Sequence, residues 1–136
     1  MEYITGIHAL NLPCSLETGG DWHIYALQWE KPTIGNTETS IFNKYGLEFN
    51  KTIPEHTGTF TVANHIRALL DLLEMGKFDI AQGMNKDFIC NDEYDFEVFE
   101  KVAVLRLLPN WKQVDDFMER EYNRKWLKFK KDNNHE

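Results

Sequence analysis

The sequence has few cysteines, no long apolar run and no basic stretch at its start. Cys14 and Cys90 are the two cysteines of the 136-residue chain, which is too few for a disulfide framework and favours a reducing cytoplasm. The longest purely apolar runs are a few residues, far below the ~20 that a membrane-spanning helix needs. The opening MEYITGIHALNLP has an acid at its second position and lacks the basic region of a signal peptide. We therefore expect a cytoplasmic protein that does not enter a membrane.

Short motifs that hold metals or cofactors are missing as well. The chain contains no CxxC, HxxxH or HExxH spacing, whereas structural zinc sites usually include at least one close pair of ligands. The phosphate-binding patterns GxxxxGK[ST] and GxGxxG are also missing. We expect neither a metal nor a cofactor.

The composition that is present suits one globular domain over residues 1–136. Apolar residues make up 42% of the chain and aromatic residues 13%, which is enough to build a core without disulfides at this length. We expect an α+β fold, with a small, mainly antiparallel sheet from the N-terminal half packed against three C-terminal helices.

Several segments have the pattern of strands or helices. In the helix expected from Val62 to Leu73, apolar residues follow a helical period and polar residues, including Arg67 and Asp71, occupy the rest of the wheel. Thr59 or Thr61 is its expected cap. The expected strands are Tyr3–Leu12, Trp22–Trp29, Ile41–Phe49 and Phe60–Val62. The segment KPTIGNTETS is expected to form a loop between the second and third of them. The other two expected helices are Asp95–Leu107 and a long one from Trp111 to Phe129.

Negative charge dominates most of the chain. Residues 1–119 contain nine Lys and Arg against nineteen Asp and Glu, a balance of −10. Such a body repels phosphate backbones, so it is not expected to bind nucleic acid. We define the acidic stretch as residues 87–100, which contain no base. Its six acids are Asp87, Asp92, Glu93, Asp95, Glu97 and Glu100.

One basic segment follows, at residues 120–131, where six Lys and Arg stand against a single Glu121. Only this segment suits contacts to nucleic acid. Acids precede its bases in the predicted third helix, an order that complements the helix dipole and favours a structural role. The same helix carries three aromatic residues that pack either within the monomer or against a second copy, which leaves a homodimer open: Phe117, Trp126 and Phe129.

Reactive side chains are concentrated near the N-terminus. His8, Cys14, Asp21 and His23 surround the turn Thr18-Gly19-Gly20, and an acid–base pair beside a thiol suits nucleophilic catalysis. Against this, Gly-Gly followed by Asp is ordinary turn chemistry. No helix start or basic neighbour that would stabilise a thiolate is visible near Cys14.

The opening Tyr3-Ile-Thr-Gly-Ile-His-Ala-Leu-Asn-Leu-Pro-Cys14, followed by Gly20-Asp-Trp-His23, resembles a group of small uncharacterised bacterial proteins with the same opening. The likeness extends through residues 62–70, 85–90 and 108–111. The resemblance implies a place near toxin–antitoxin or phage-defence genes. It implies no catalytic or binding residue.

Two functional hypotheses follow. The first is an acidic protein-interaction module of antitoxin or immunity type, in which Asp87, Asp92, Glu93, Asp95 and Glu97 bind a basic protein partner. The second is a small hydrolase or transferase that uses the cluster around the Gly-Gly turn, with His8, Asp21 and His23 as acid–base groups and Cys14 as nucleophile.

Overall fold

The chain has the α+β fold expected from its sequence, with a small sheet that is mostly antiparallel and helices in the C-terminal half. The computed structural model describes residues 1–21 and 28–133. Its strands are β1 (Glu2–Ile4), β2 (Ile34–Asn36), β3 (Leu47–Lys51) and β4 (Phe60–Ala63). The α-helices over these residues are α1 (Gly6–Leu10), α2 (His65–Glu74), α3 (Phe78–Ala81), α4 (Asp95–Val104), α5 (Trp111–Tyr122) and α6 (Arg124–Asp132).

The four strands form one sheet in the order β2-β1-β4-β3. The outer strands β2 and β3 pair antiparallel with β1 and β4, while β1 and β4 run parallel, with Ile4 opposite Val62. A parallel pair needs a long connection between its strands, and here the whole of residues 5–59 lies between β1 and β4. The N-terminal residues therefore occupy the middle of the sheet.

The region predicted as one strand, Tyr3–Leu12, is instead a strand followed by a helix. β1 ends at Ile4, and Gly6, at φ +59°, turns the chain into α1. A positive φ is inexpensive only for glycine, so this residue allows the abrupt change. The second predicted strand, Trp22–Trp29, falls largely on residues 22–27, outside those that the structure describes.

Two further predictions for the N-terminal half need correction. The predicted loop KPTIGNTETS contains β2, and the strand predicted over Ile41–Phe49 forms only from Leu47 onward. Strands of three to five residues are too short to show a clear alternation of apolar and polar side chains. The strand predicted over Phe60–Val62 is confirmed as β4.

Helix α2 runs through the core and is the most extensively buried helix. Every residue from His65 to Leu73 is buried. The helix begins three residues later than predicted because Val62 and Ala63 pair with β3 in the sheet. Asn64 is the cap, accepting a hydrogen bond from the Arg67 backbone N–H, so neither predicted threonine cap is used.

A charged pair from the polar side of the predicted helix is buried inside the fold. Arg67 and Asp71 lie one turn apart on α2, with Nε and Oδ1 2.9 Å apart and the side chains 0% and 5% exposed. The Asp71 carboxylate also accepts hydrogen bonds from the hydroxyls of Tyr3 and Thr5. The Arg67 guanidinium donates to the Tyr3 hydroxyl and the Tyr45 carbonyl. This network joins β1 to α2.

The C-terminal half is helical, as predicted, with one break. The helix predicted over Asp95–Leu107 is confirmed as α4 up to Val104, and a 3₁₀ turn at Leu105–Leu107 forms its last part. The long third helix is divided at Asn123, at φ 55°, into α5 and α6. Phe117, Trp126 and Phe129 are all buried, so these three rings pack within the monomer. Among the described helices, none has the length and apolar character needed to cross a bilayer.

Candidate functional site

The acidic stretch lies largely on the surface. Asp87, Asp92, Glu93, Glu97 and Glu100 are exposed, and Asp95 is partly buried. The stretch begins in a π-helical turn (Met84–Ile89), passes through a 3₁₀ turn (Asp92–Tyr94) and continues into α4. Its carboxylates therefore come from three successive short elements and not from one regular face.

Two of these carboxylates have partners within the chain. Asp95 pairs with Lys125 of α6 at 3.0 Å, and Glu97 accepts a hydrogen bond from the Tyr45 hydroxyl. Burial, followed by the neighbouring Glu97 carboxylate, raises the pKa of Tyr45 and keeps it a donor. These contacts fix the start of α4 against the rest of the fold.

An exposed aromatic ring lies among the acids. Phe96 is 60% exposed, and its ring meets that of Phe129 edge-on, with 6.0 Å between centroids. Both rings line a shallow cavity of about 290 Å³, whose wall also includes Asp95 and Lys125. An apolar centre within a charged rim is the usual anatomy of a protein-binding surface.

The basic segment 120–131 is partly neutralised by neighbouring acids. Lys125 pairs with Asp95, Lys128 with Asp132 at 2.7 Å, and Lys130 with Asp115 at 2.8 Å. Half of its six cations are therefore engaged within the chain, which weakens the case for phosphate contacts.

A second cluster of polar groups surrounds the half-buried Cys14 and was not foreseen as a unit. The loop after α1 brings the thiol near His65 at the start of α2, close enough for the imidazole to influence the ionisation of the sulfur. Thr18 lies between the two side chains: its Oγ1 is 3.6 Å from the Cys14 Sγ and 2.6 Å from the His65 Nδ1. We call Cys14, Thr18, Glu48 and His65 the thiol cluster.

The protonation of His65 follows from its partners. Its Nε2 lies 2.6 Å from the Leu12 carbonyl oxygen, which can only accept, so Nε2 carries a hydrogen. In the neutral ring Nδ1 is then the acceptor, and the Thr18 hydroxyl donates to it. The threonine oxygen is left to accept from the Cys14 thiol. A continuous path for a proton runs from the sulfur to the imidazole.

The cluster favours the charged forms of both the thiol and the imidazole. Burial opposes ionisation of Cys14, but the nearby His65 imidazole, helped by the Thr18 hydroxyl, outweighs it and lowers the thiol pKa to about 7. Burial likewise opposes protonation of His65, while Cys14, the Leu12 carbonyl and the Glu48 charge raise its pKa. The N–H groups at the start of α2 add the positive end of the helix dipole.

Neighbouring segments hold the loop that carries the thiol. The Ser15 backbone N–H and hydroxyl both donate to Glu48 of β3, at 2.9 and 2.6 Å. On the other side, Gly20 donates its backbone N–H to the Phe88 carbonyl at 2.7 Å, and the Tyr94 hydroxyl donates to the Leu16 carbonyl at 2.9 Å. The loop is thus clamped between the sheet and the acidic stretch.

The other residues of the predicted N-terminal cluster lie elsewhere or outside the described residues. His8 is buried, with Nδ1 beside Thr33 at 3.0 Å and Nε2 beside the Gln28 carbonyl at 3.1 Å. Asp21 donates its backbone N–H to the Leu10 carbonyl. His23 falls on residues that the structure does not describe. Within residues 1–21 and 28–133, no three His, Cys, Asp or Glu side chains converge as a metal site.

The close packing of Gly20 against the thiol cluster can be tested by substitution. Its φ is +62°, and an added Cβ would lie 2.5 Å from the Leu10 carbonyl and 2.6 Å from the His65 ring. Gly58 also has a positive φ, +85°, with nothing within 4 Å of an added Cβ. We expect Gly58→Ala to cost about 1 kcal/mol, the backbone term alone. Gly20→Ala adds a clash and should cost roughly 3 kcal/mol. Urea unfolding of the two variants measures the difference, and equal losses would contradict the packing described.

Comparison with known protein families, with curated proteins and with solved structures finds no match to this chain.

Proposed function

We propose that the protein is a cytoplasmic interaction module of antitoxin or immunity type that binds a basic protein through the acidic stretch. The observation that carries the proposal is that Asp87, Asp92, Glu93 and Glu97 are exposed in the same stretch of chain as the exposed Phe96 ring. The carboxylates would meet the cations of the partner, and Phe96 would supply apolar contact at the centre.

Charge complementarity favours specific binding of a basic partner over non-specific association. Opposite charges on two surfaces accelerate encounter and exclude partners of the wrong sign. The acidic stretch has no base of its own, and the nearby Lys125 is held by Asp95. The exposed carboxylates of Asp87, Asp92 and Glu93 therefore remain available to a cationic surface.

The test is isothermal titration calorimetry, in which the protein is titrated with the basic product of a gene beside its own. We expect a stoichiometric complex whose affinity falls steeply between salt concentrations on the order of 0.05 M and 0.5 M, because added ions screen the exposed charges. The double variant Asp92→Lys with Glu93→Lys should weaken binding by roughly tenfold or more, mainly through the association rate.

A matched control separates a local site from the effect of net charge. Glu30→Lys with Glu119→Lys changes the net charge by the same amount at exposed positions outside the acidic stretch. This control should bind within about twofold of the parent, since distant rim charges contribute little. Equal weakening by both double variants, or no stoichiometric complex at low salt, would refute the proposal.

A further inference from the structure

We propose that Cys14 is a nucleophilic thiol that exchanges with low-molecular-weight disulfides, with Thr18 and His65 as its proton relay. This modification site is independent of the proposed partner-binding surface. It rests on the convergence of a thiol, a hydroxyl and an imidazole at the start of α2. Cys14 and Thr18 are four residues apart, and Thr18 and His65 are 47 residues apart in the chain.

Three features separate this cysteine from an ordinary half-buried one. The imidazole is oriented by the Leu12 carbonyl, which leaves Nδ1 facing Thr18. The hydroxyl of Thr18 can pass a proton in either direction because it both donates and accepts. The helix that begins at His65 is ten residues long, so its N-terminal dipole stabilises a thiolate beside it.

A carboxylate and an ammonium group add to the electrostatics of the cluster. Glu48, which accepts from Ser15, favours the protonated imidazole. Its own charge is shared with Lys51, 3.1 Å away. Lys51 also lines an open cavity of about 540 Å³ whose wall includes Leu12 and Pro13, the two residues before Cys14. A small molecule can therefore occupy space next to the loop that carries the thiol.

The exchange step is balanced by groups that are present. The Cys14 thiolate attacks one sulfur of a small disulfide, so that a new sulfur–sulfur bond forms as the original one breaks. The departing thiolate leaves with the electron pair of the broken bond and takes up the proton held by the His65 imidazolium, by way of Thr18. Cys14 ends as a mixed disulfide, and one half of the reagent ends as a reduced thiol.

A disulfide suits this cluster better than an ester or amide. Thiol–disulfide exchange requires only a thiolate and a proton source for the leaving group. Acyl transfer also needs donors arranged around a developing oxyanion and a second step with water. The thiol cluster supplies the thiolate and the proton source that exchange requires.

The test uses the full chain with Cys90→Ser, so that Cys14 is the one thiol. Alkylation by iodoacetamide is followed by mass spectrometry across pH, and mixed-disulfide formation is followed with oxidised glutathione. We expect half-maximal alkylation near pH 7. His65→Gln and, independently, Thr18→Val should move the midpoint upward toward the usual range of cysteine thiols. The rate of glutathione exchange at pH 7 should fall about three- to fourfold in His65→Gln. The shift of the thiol pKa from about 7 to about 8.5 lowers the thiolate fraction about sixteenfold, and the greater nucleophilicity of a more basic thiol offsets part of that loss.

His56→Gln is the matched control. His56 is exposed in a loop, and the hydrogen bond of its Nδ1 is to the Pro54 carbonyl, two residues away. It should leave the midpoint unchanged. Circular dichroism verifies that each variant folds, and Thr18→Val decides the question if His65→Gln does not. A midpoint above about pH 8.5 in the Cys90→Ser protein, or one that neither substitution moves, would overturn the proposal.

Discussion

Replacing Arg67 by methionine should destabilise the protein by about 3–5 kcal/mol, the largest loss that we expect from a change to a single polar side chain. Methionine keeps much of the length of the arginine side chain but removes its charge. The Asp71 carboxylate would then remain buried without its cation, keeping only the hydrogen bonds from Tyr3 and Thr5. A buried carboxylate without a counter-charge is costly because water no longer solvates it.

Lys112 and Asp116 offer a control with the same helical spacing. They form an i,i+4 pair on α5 at 3.1 Å, with side chains 84% and 49% exposed. Because solvent screens that pair, Lys112→Met should change the free energy of unfolding by no more than about 0.5 kcal/mol. Chemical denaturation of both variants gives the comparison. A loss in Arg67→Met as small as that of the control would mean that Asp71 is reached by water or is protonated.

The sequence predicts the helical half of this fold better than the sheet. Apolar residues in α2 and α4 recur with a helical period over ten or more residues, a signal long enough to be specific. In contrast, β1 and β2 are three residues each, too short for an alternating pattern. The change from β1 to α1 depends on one backbone angle at Gly6, which the pattern of side chains does not encode.

The burial of Arg67 and Asp71 shows a limit of the helical wheel. A wheel sorts residues by polarity and assigns the charged ones to solvent. Here that side of α2 faces β1 and the loop around Tyr45, where hydroxyl and carbonyl groups satisfy the guanidinium and the carboxylate. The polar face can be buried only because residues far apart in the sequence supply hydrogen-bond partners for it.

The thiol cluster was missed for a similar reason. The sequence predicts a start of this helix at Val62 and shows no helix start or basic neighbour near Cys14. Pairing of β4 in the sheet moves the first helical residue to His65. Cys14 is among the candidate residues of the sequence, whereas its contacts with Thr18 and, through it, with His65 depend on tertiary structure.

The second large effect should come from Trp126→Ala, at roughly 3–5 kcal/mol, because this side chain joins the C-terminal helices. Trp126 is fully buried. Its ring stacks on Phe129 at an interplanar angle of 14° and meets Phe99 of α4 at 5.5 Å between centroids. Its Nε1 donates to Asp115 of α5 at 2.8 Å. Alanine would leave a cavity among these rings and remove the donor from a carboxylate that also holds Lys130.

Leu127, next in the chain and 42% exposed, is the matched control, and Leu127→Ala should cost less than about 1 kcal/mol. Trp126→Phe should fall between the two, because it keeps an aromatic ring and loses only the hydrogen bond and part of the volume. Thermal and urea unfolding measure this order. Since Phe99 and the acidic stretch share α4, Trp126→Ala should also weaken binding of a basic partner, whereas Leu127→Ala should not. If the three variants were equally stable, α6 would not be packed against α4 through this residue.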